Sequence, residues 1–284
     1  MLGGYWQRVI DSDMAVPSER PLNELTAELV AMLGSSNAVD REQTSYSVLA
    51  SWVSSGVYDD LLITLGDSIA AGLQMGLGEP EGDAVFRRSY SALLLGDCIA
   101  RDNQASVLPV DVVLTWADRA LSWFVREGDH RGWVEGKGWA HALAHGADLI
   151  GVLAQSRHLL AEHLGILLDV IAERLQSPTP RIWIDGEEDR LAAAVLTILQ
   201  RNQVQQDYLD AWVETLGVAL TRPHHREMGI EPSPEARNTS AFVRALYAHL
   251  AIGVHPINTT LSFTEPPACR ADLLLDLLQI IPQI

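Results

Sequence analysis

The chain has 284 residues, 48% of them hydrophobic, with 20 Lys and Arg against 37 Asp and Glu and a formal charge of −17. That length and apolar content support a substantial core and exclude a disordered tail. The negative charge repels phosphate backbones and anionic lipid, so nucleic acid and membrane surfaces are excluded as partners.

The opening segment MLGGYWQRVIDSD has neither a basic start nor a long apolar run, so it does not read as a signal peptide. No apolar stretch reaches membrane-spanning length. The two cysteines, Cys98 and Cys269, make no disulfide framework, and the expected compartment is the cytoplasm. Eight Trp against four Phe predict several large rings at half-buried seams, each N–H needing an acceptor.

From Leu22 onward the apolar residues recur with helical period, beginning with Leu22, Leu25, Leu29, Met32 and Leu33. The same spacing predicts helices over 39–54, 58–76, 83–101, 109–126, 138–155, 159–176, 187–201, 204–220, 234–253 and 266–281. Gly34–Asn37 and Gly78–Gly82 punctuate the series, and Ser177–Pro180 stops the seventh helix because proline cannot continue one. Cys98 lies in an apolar helical pattern and is expected in the core. Arg181–Ile184 and Leu261–Phe263 look strand-like, but an isolated strand leaves its backbone groups unsatisfied, so both are read as extended connections.

About eleven helices with short links predict an all-α fold of stacked antiparallel helix pairs, a HEAT-like α-solenoid or α/α superhelix in one domain over 1–284. A closed α/α toroid or a globular bundle is the rival. The pairs run 22–54, 58–101, 109–155, 159–201 and 204–253, with the last helix as a cap.

Residues 128–148 stand apart: five glycines interleave two Trp and several ionisable groups. On a helix starting near Gly138, His141, His145 and Asp148 fall at i, i+4 and i+7 and form one stripe, opposite a core-facing arc of Trp139, Leu143, Ile150 and Leu153. Two His at this spacing can share a divalent metal, but Ala142 stands where the zincin motif needs Glu. A third ligand has to come from Glu135, Asp148, Glu187 or Glu188, and otherwise no cofactor is expected. Asp185 with Glu188 reads as a helix N-cap and its N3 partner.

The pairing makes 83–101, 138–155 and 187–201 second helices whose first turns share one end. Arg87, Arg88, Ser91, Glu135, Lys137, His141, Glu188 and Arg190 then surround one region. Such a group either binds a small polar ligand, peptide or protein, or is an ion-pair network between helices. The alternatives are a metal-dependent hydrolase centred on His141 and His145, and a purely structural protein. His224–His225 reads as an exposed loop, and the sequons at Asn238 and Asn258 carry no weight in a cytoplasmic chain. No Walker loop, nucleophile elbow or dinucleotide fingerprint occurs.

The segment Arg131-Gly-Trp-Val-Glu-Gly-Lys-Gly-Trp-Ala-His141-Ala-Leu-Ala-His145-Gly-Ala-Asp148 resembles that of a bacterial family, domain of unknown function 2785. Val85–Ser91 and Asp185–Leu191 share the resemblance. It implies a helical fold and carries no established activity.

Overall fold

A computed structural model describes residues 2–79, 81–221, 232–253 and 265–281. Among these are twelve α-helices and one two-stranded ribbon, so the fold is all-α. The helices form two compact units, Met1–Leu149 and Ile150–Ile284.

The first unit holds α1 (Leu2–Asp11), α2 (Leu22–Met32), α3 (Ser47–Ser54), α4 (Leu62–Gly72), α5 (Ala84–Ala105), α6 (Val110–Arg126) and the first eight residues of α7 (Ala142–Ala154). Val39–Tyr46 runs straight into α3 as wide π-type turns, and the 3-10 turn Asp59–Leu61 leads into α4. α1 was not anticipated; Trp6 and Val9 on it are buried. α4 packs on α5 and α6, and α3 packs on α5. Gly146 admits α6 close to α7, since a methyl there would meet Phe124 Cδ2 at 2.4 Å.

The second unit contains the end of α7 with α8 (Ala161–Gln176), α9 (Glu187–Gln200), α10 (Gln206–Thr221), α11 (Pro234–Ile252) and α12 (Arg270–Ile280). α11 packs against α8, α9, α10 and α12, and α10 also packs on α8 and α12. Arg181–Ile184 is an extended connection, as expected. It is held by Asn238, whose Oδ1 accepts from Trp183 N at 2.9 Å and whose Nδ2 donates to Arg181 O at 3.0 Å. Leu261–Phe263, Asn258 and His224–His225 lie outside the described residues.

Four indoles sit in the core of the first unit, deeper than the sequence implied. Trp6, Trp52, Trp116 and Trp123 are fully buried. Each still finds an acceptor: Glu28, Met14 O, Asp67 and Glu127, at 2.6–2.9 Å. A buried indole N–H left unpaired would cost about 1–3 kcal/mol, so acceptor placement fixes these rings as firmly as packing does. Cys98 is a free, buried core residue.

Two helix starts need correction. α7 begins at Ala142, not near Gly138, because the preceding residues form a β-ribbon. The N-cap of α9 is Gly186, at φ +86°, rather than Asp185. Glu187 takes the reciprocal part instead, its Oε2 accepting from Asp185 N at 3.0 Å.

Candidate functional site

The ribbon comes first, because it sets the position of both histidines. β1 (Trp133–Val134) pairs antiparallel with β2 (Gly138–Trp139). The turn between them needs left-handed backbone at Gly136 and at Gly138, with φ +72° and +80°. Glycine adopts these without steric cost. Two bonds continue the pairing past the ribbon: Ala140 N to Gly132 O at 2.8 Å and His141 N to Arg131 O at 2.9 Å. His141 itself sits at φ +52°, an uncommon conformation for a residue with a side chain. Its carbonyl then accepts from His145 N at 3.0 Å, which starts α7.

Arg41 clamps this ribbon. Its fully buried guanidinium donates to Lys137 O at 2.7 Å, Trp139 O at 3.3 Å, Ser35 O at 2.7 Å and the Glu42 carboxylate at 2.6 Å. It also lies 4.1 Å from the Phe86 ring centre and 5.0 Å from that of Tyr90. A cation so enclosed is tolerable because both terminal nitrogens are spent on oxygens and two rings face it, while Nε stays buried without a partner.

A second anchor holds the start of the loop. Arg88 and Glu127 form a buried two-pronged ion pair at 2.6 and 2.8 Å. Glu127 also accepts from Trp123 Nε1 and Asp129 N, both at 2.9 Å. Asp129 in turn accepts from Arg131, whose Nη2 also donates to Gly82 O. Arg88 and Glu127 are thus consumed in holding the loop.

The face behind the ribbon combines aromatic and acidic groups. Trp139 stacks on His141 with ring centres 4.7 Å apart; His141 meets His145 edge-on at 5.7 Å; His145 meets Tyr90 at 5.3 Å; Tyr90 meets Tyr46 at 6.0 Å. His145 is buried, its Nδ1 2.7 Å from Ser89 Oγ, and Ser89 also bonds Ala140 O. If the serine hydroxyl donates to that carbonyl, Nδ1 carries the ring proton and donates to Ser89.

Asp97 and Asp148 flank the point where α5 meets α7, a methyl on Gly96 falling 3.9 Å from Leu149 Cα. Both carboxyls act on the Tyr46 hydroxyl, which burial and these negative neighbours push well above the usual phenol range. Asp97 is partly accessible, yet its Oδ2 is sealed from water and has no hydrogen-bond partner. Burial pushes its carboxyl up to about 7, opposed by the smaller influence of the Tyr46 hydroxyl.

The residues singled out in the sequence are distributed as follows. His141 and His145 meet edge-on, but His145 is enclosed, and Leu143, Ile150 and Leu153 on α7 are buried too. Trp139 is on the ribbon rather than on the helix. Arg87 and Ser91 turn to a different side of α5: Gly72 closes over them, Arg87 bonds Val30 O, and Ser91 is fully buried with its hydroxyl unpaired. Lys137 pairs with Asp83 at 2.7 Å and Glu135 is exposed at the ribbon turn. Glu188 and Arg190 belong to the second unit, in the first turn of α9. Among the described residues no group of three or more His, Cys, Asp or Glu is placed to hold a metal.

Sequence reasoning missed Tyr46, Ser89, Tyr90 and Asp97. Asp97 carried a usable signal, a lone charge inside the apolar run Leu94-Leu95-Gly96-Asp97-Cys98-Ile99. Ser89 and Tyr90 lay within one of the segments that carried the resemblance.

The family model described as "Protein of unknown function (DUF2785)" matches residues 73–248. The chain belongs to this family. The DUF2785 match takes in Asp97, the Glu127–His141 loop and Asp148, while Arg41 and Tyr46 precede it. No curated protein and no solved structure matches the chain.

Proposed function

We propose that this DUF2785 protein binds a small polar ligand where Asp97, Tyr46, His141 and Asp148 meet. The observation that carries the reading is Asp97: its Oδ2 is sealed from water and unpaired, and the Tyr46 hydroxyl alone acts to favour the charged carboxyl. Such an oxygen costs stability, about 1–3 kcal/mol for an unmet buried polar group, and a bound donor removes that cost. The left-handed backbone at His141, linked through His145 and Tyr90 to Tyr46, adds weight, since sparsely populated conformations cluster at ligand sites.

The wider frame is a helical-repeat one. Helices packing on their next and next-but-one neighbours, as α3, α4, α5 and α6 do and as α8 to α11 do, fit a stack of helix pairs whose second helices present a binding face. A metal-dependent hydrolase is the weaker reading, because His145 Nδ1 is already engaged by Ser89 and among the described residues no third ligand converges. Two free cysteines fit a reducing cytoplasm.

The test is a thermal-shift screen of chemically varied metabolites against the parent protein and the variants Asp97→Asn and His141→Ala. Compounds that raise the parent midpoint and lose the effect in Asp97→Asn are expected. A screen whose hits all act equally on both variants sinks the assignment.

A further inference from the structure

The second unit holds a cleft of its own, between α8 and α10. Its volume is about 520 Å³, within the range of small-molecule sites. Ala172 and Trp212, both buried, form the floor. The indole is held in place: its N–H donates to Leu168 O at 2.8 Å, and its ring meets Phe242 edge-on at 6.3 Å. Asp169 and Glu173 line the wall, one turn apart on α8 and both exposed.

The hydroxyl and amide donors of the lining are turned onto their own helices. Gln176 Nε2 donates to Ala172 O at 3.2 Å, Ser177 Oγ to Glu173 O at 2.7 Å and Thr215 Oγ1 to Ala211 O at 2.9 Å. Among the described residues no lysine, arginine or histidine lines the cleft, and Arg174, the basic residue in the last turn of α8, is buried outside the lining. What remains on the walls is acceptor. The Glu173 carboxylate makes no hydrogen bond or ion pair among the described residues. Asp169 takes the Tyr208 hydroxyl, whose ionisation burial and that carboxylate push above the usual phenol range. One hydroxyl leaves most of the capacity of Asp169 unused, because a carboxylate offers about four acceptor sites. The last turn of α8, the negative end of its dipole, borders the same cleft at Gln176.

Two carboxylates at this spacing, with Cβ atoms about 6 Å apart, repel each other until a cation bridges them. A carboxylate bond to a cationic N–H is also roughly twice as strong as a neutral one. We propose that this cleft binds a small organic dication, a diammonium ion whose two ends pair with Asp169 and Glu173 while its methylene stem lies on the floor made by Ala172 and Trp212. A stem of about four carbons spans the two carboxylates. The site belongs to the second unit and Asp97 to the first, so neither proposal depends on the other.

The experiment is isothermal titration of the full chain with 1,4-diaminobutane, n-butylammonium and 1,4-butanediol at matched ionic strength. The parent is expected to bind the diamine, to bind the monoamine about tenfold or more weakly, and not to bind the diol. Glu173→Gln is expected to weaken diamine binding to the level of the monoamine, and Asp169→Asn with Glu173→Gln to abolish it. Glu162→Gln removes one charge from the exposed start of the same helix, outside the cleft, and is expected to leave binding unchanged. Asp97→Asn is expected to leave it unchanged as well. Circular dichroism shows that each variant is folded.

Diamine binding that persists in the folded double variant, or that falls as far in Glu162→Gln as in Glu173→Gln, reduces the effect to net charge and overturns the site. Monoamine binding as tight as diamine binding overturns the two-ended contact and with it the dication. Equal binding of the diol overturns the cationic class. Loss of binding in Asp97→Asn moves the diamine to the first unit and overturns the assignment to this cleft. No diamine binding by the parent refutes the proposal, whatever a metabolite screen returns at Asp97.

Discussion

Replacing Asp97 by Asn should make the protein more stable above neutrality while leaving it little changed in acid. The carboxyl ionises at about 7 in the folded chain against an ordinary value of 3.8. A folded value above the unfolded one means that the unfolded chain gives up its proton first. The contribution of Asp97 is therefore fully present below about pH 4 and is lost as pH rises through 7. A gap of about three pH units at 1.36 kcal/mol each gives about 4 kcal/mol, an upper value because water reaches part of the residue. Asparagine has no charge to bury, so its variant escapes this loss. Urea melts of both proteins at pH 4.5 and pH 8 measure it. The difference between the two pH values cancels any fixed cost of fitting the amide, and the variant should gain about 2–4 kcal/mol relative to the parent between them. Parallel stability curves across that range would refute the buried-carboxyl argument and with it the main support for a ligand at this point.

Other perturbations follow from the anchors. Glu127→Ala leaves Arg88 buried and uncompensated and should cost about 3–5 kcal/mol in a denaturant titration, with Glu127→Gln in between. Gly138→Ala combines a φ of +80° with a methyl 3.0 Å from Ala38 Cβ, and should lower stability by about 1–3 kcal/mol and loosen the ribbon, visible as faster amide exchange at Ala140 and His141. His145→Ala removes a buried ring bonded to Ser89 and should cost about 1–3 kcal/mol, against under about 1 kcal/mol for an exposed histidine; a midpoint within that smaller limit would place His145 at the surface. Leu143→Ala and Ile150→Ala should each lose about 2–5 kcal/mol, read from the same melts.

The helices from Leu22 onward were legible because their burial follows the 3.6-residue period, and ten of the predicted spans overlap α-helices closely. α1 carries two glycines, and among its described side chains two apolar residues, Trp6 and Val9, are buried, too weak a pattern to stand out. The 138–155 span failed at its start for a specific reason. Gly136 and Gly138 take left-handed backbone that helical periodicity cannot register, and the chain folds back on itself before helix begins. The candidate site was half legible. His141, His145 and Asp148 stood out by spacing, but what distinguishes their surroundings is the Trp139 ring on His141, the Ser89 hydroxyl on His145 and the charge of Asp148 acting on Tyr46, across 2, 56 and 102 positions of sequence. Arg88 looked like a site residue for the same chemistry that makes it an anchor, a guanidinium among carboxylates, and only Glu127 settles which it is.

Arg41 joins stretches of chain 96 and 98 residues apart. A contact of that separation forms late, because the intervening loop must close before the hydrogen bonds repay its entropy. During synthesis the ribbon therefore emerges long after its clamp and docks onto a surface already made by Val39–Tyr46. A fragment that starts where the family match starts, at residue 73, would make the ribbon without the guanidinium that caps Lys137 O and Trp139 O. Both carbonyls would then open to water, and the arc that carries His141 would sample many geometries before it found one.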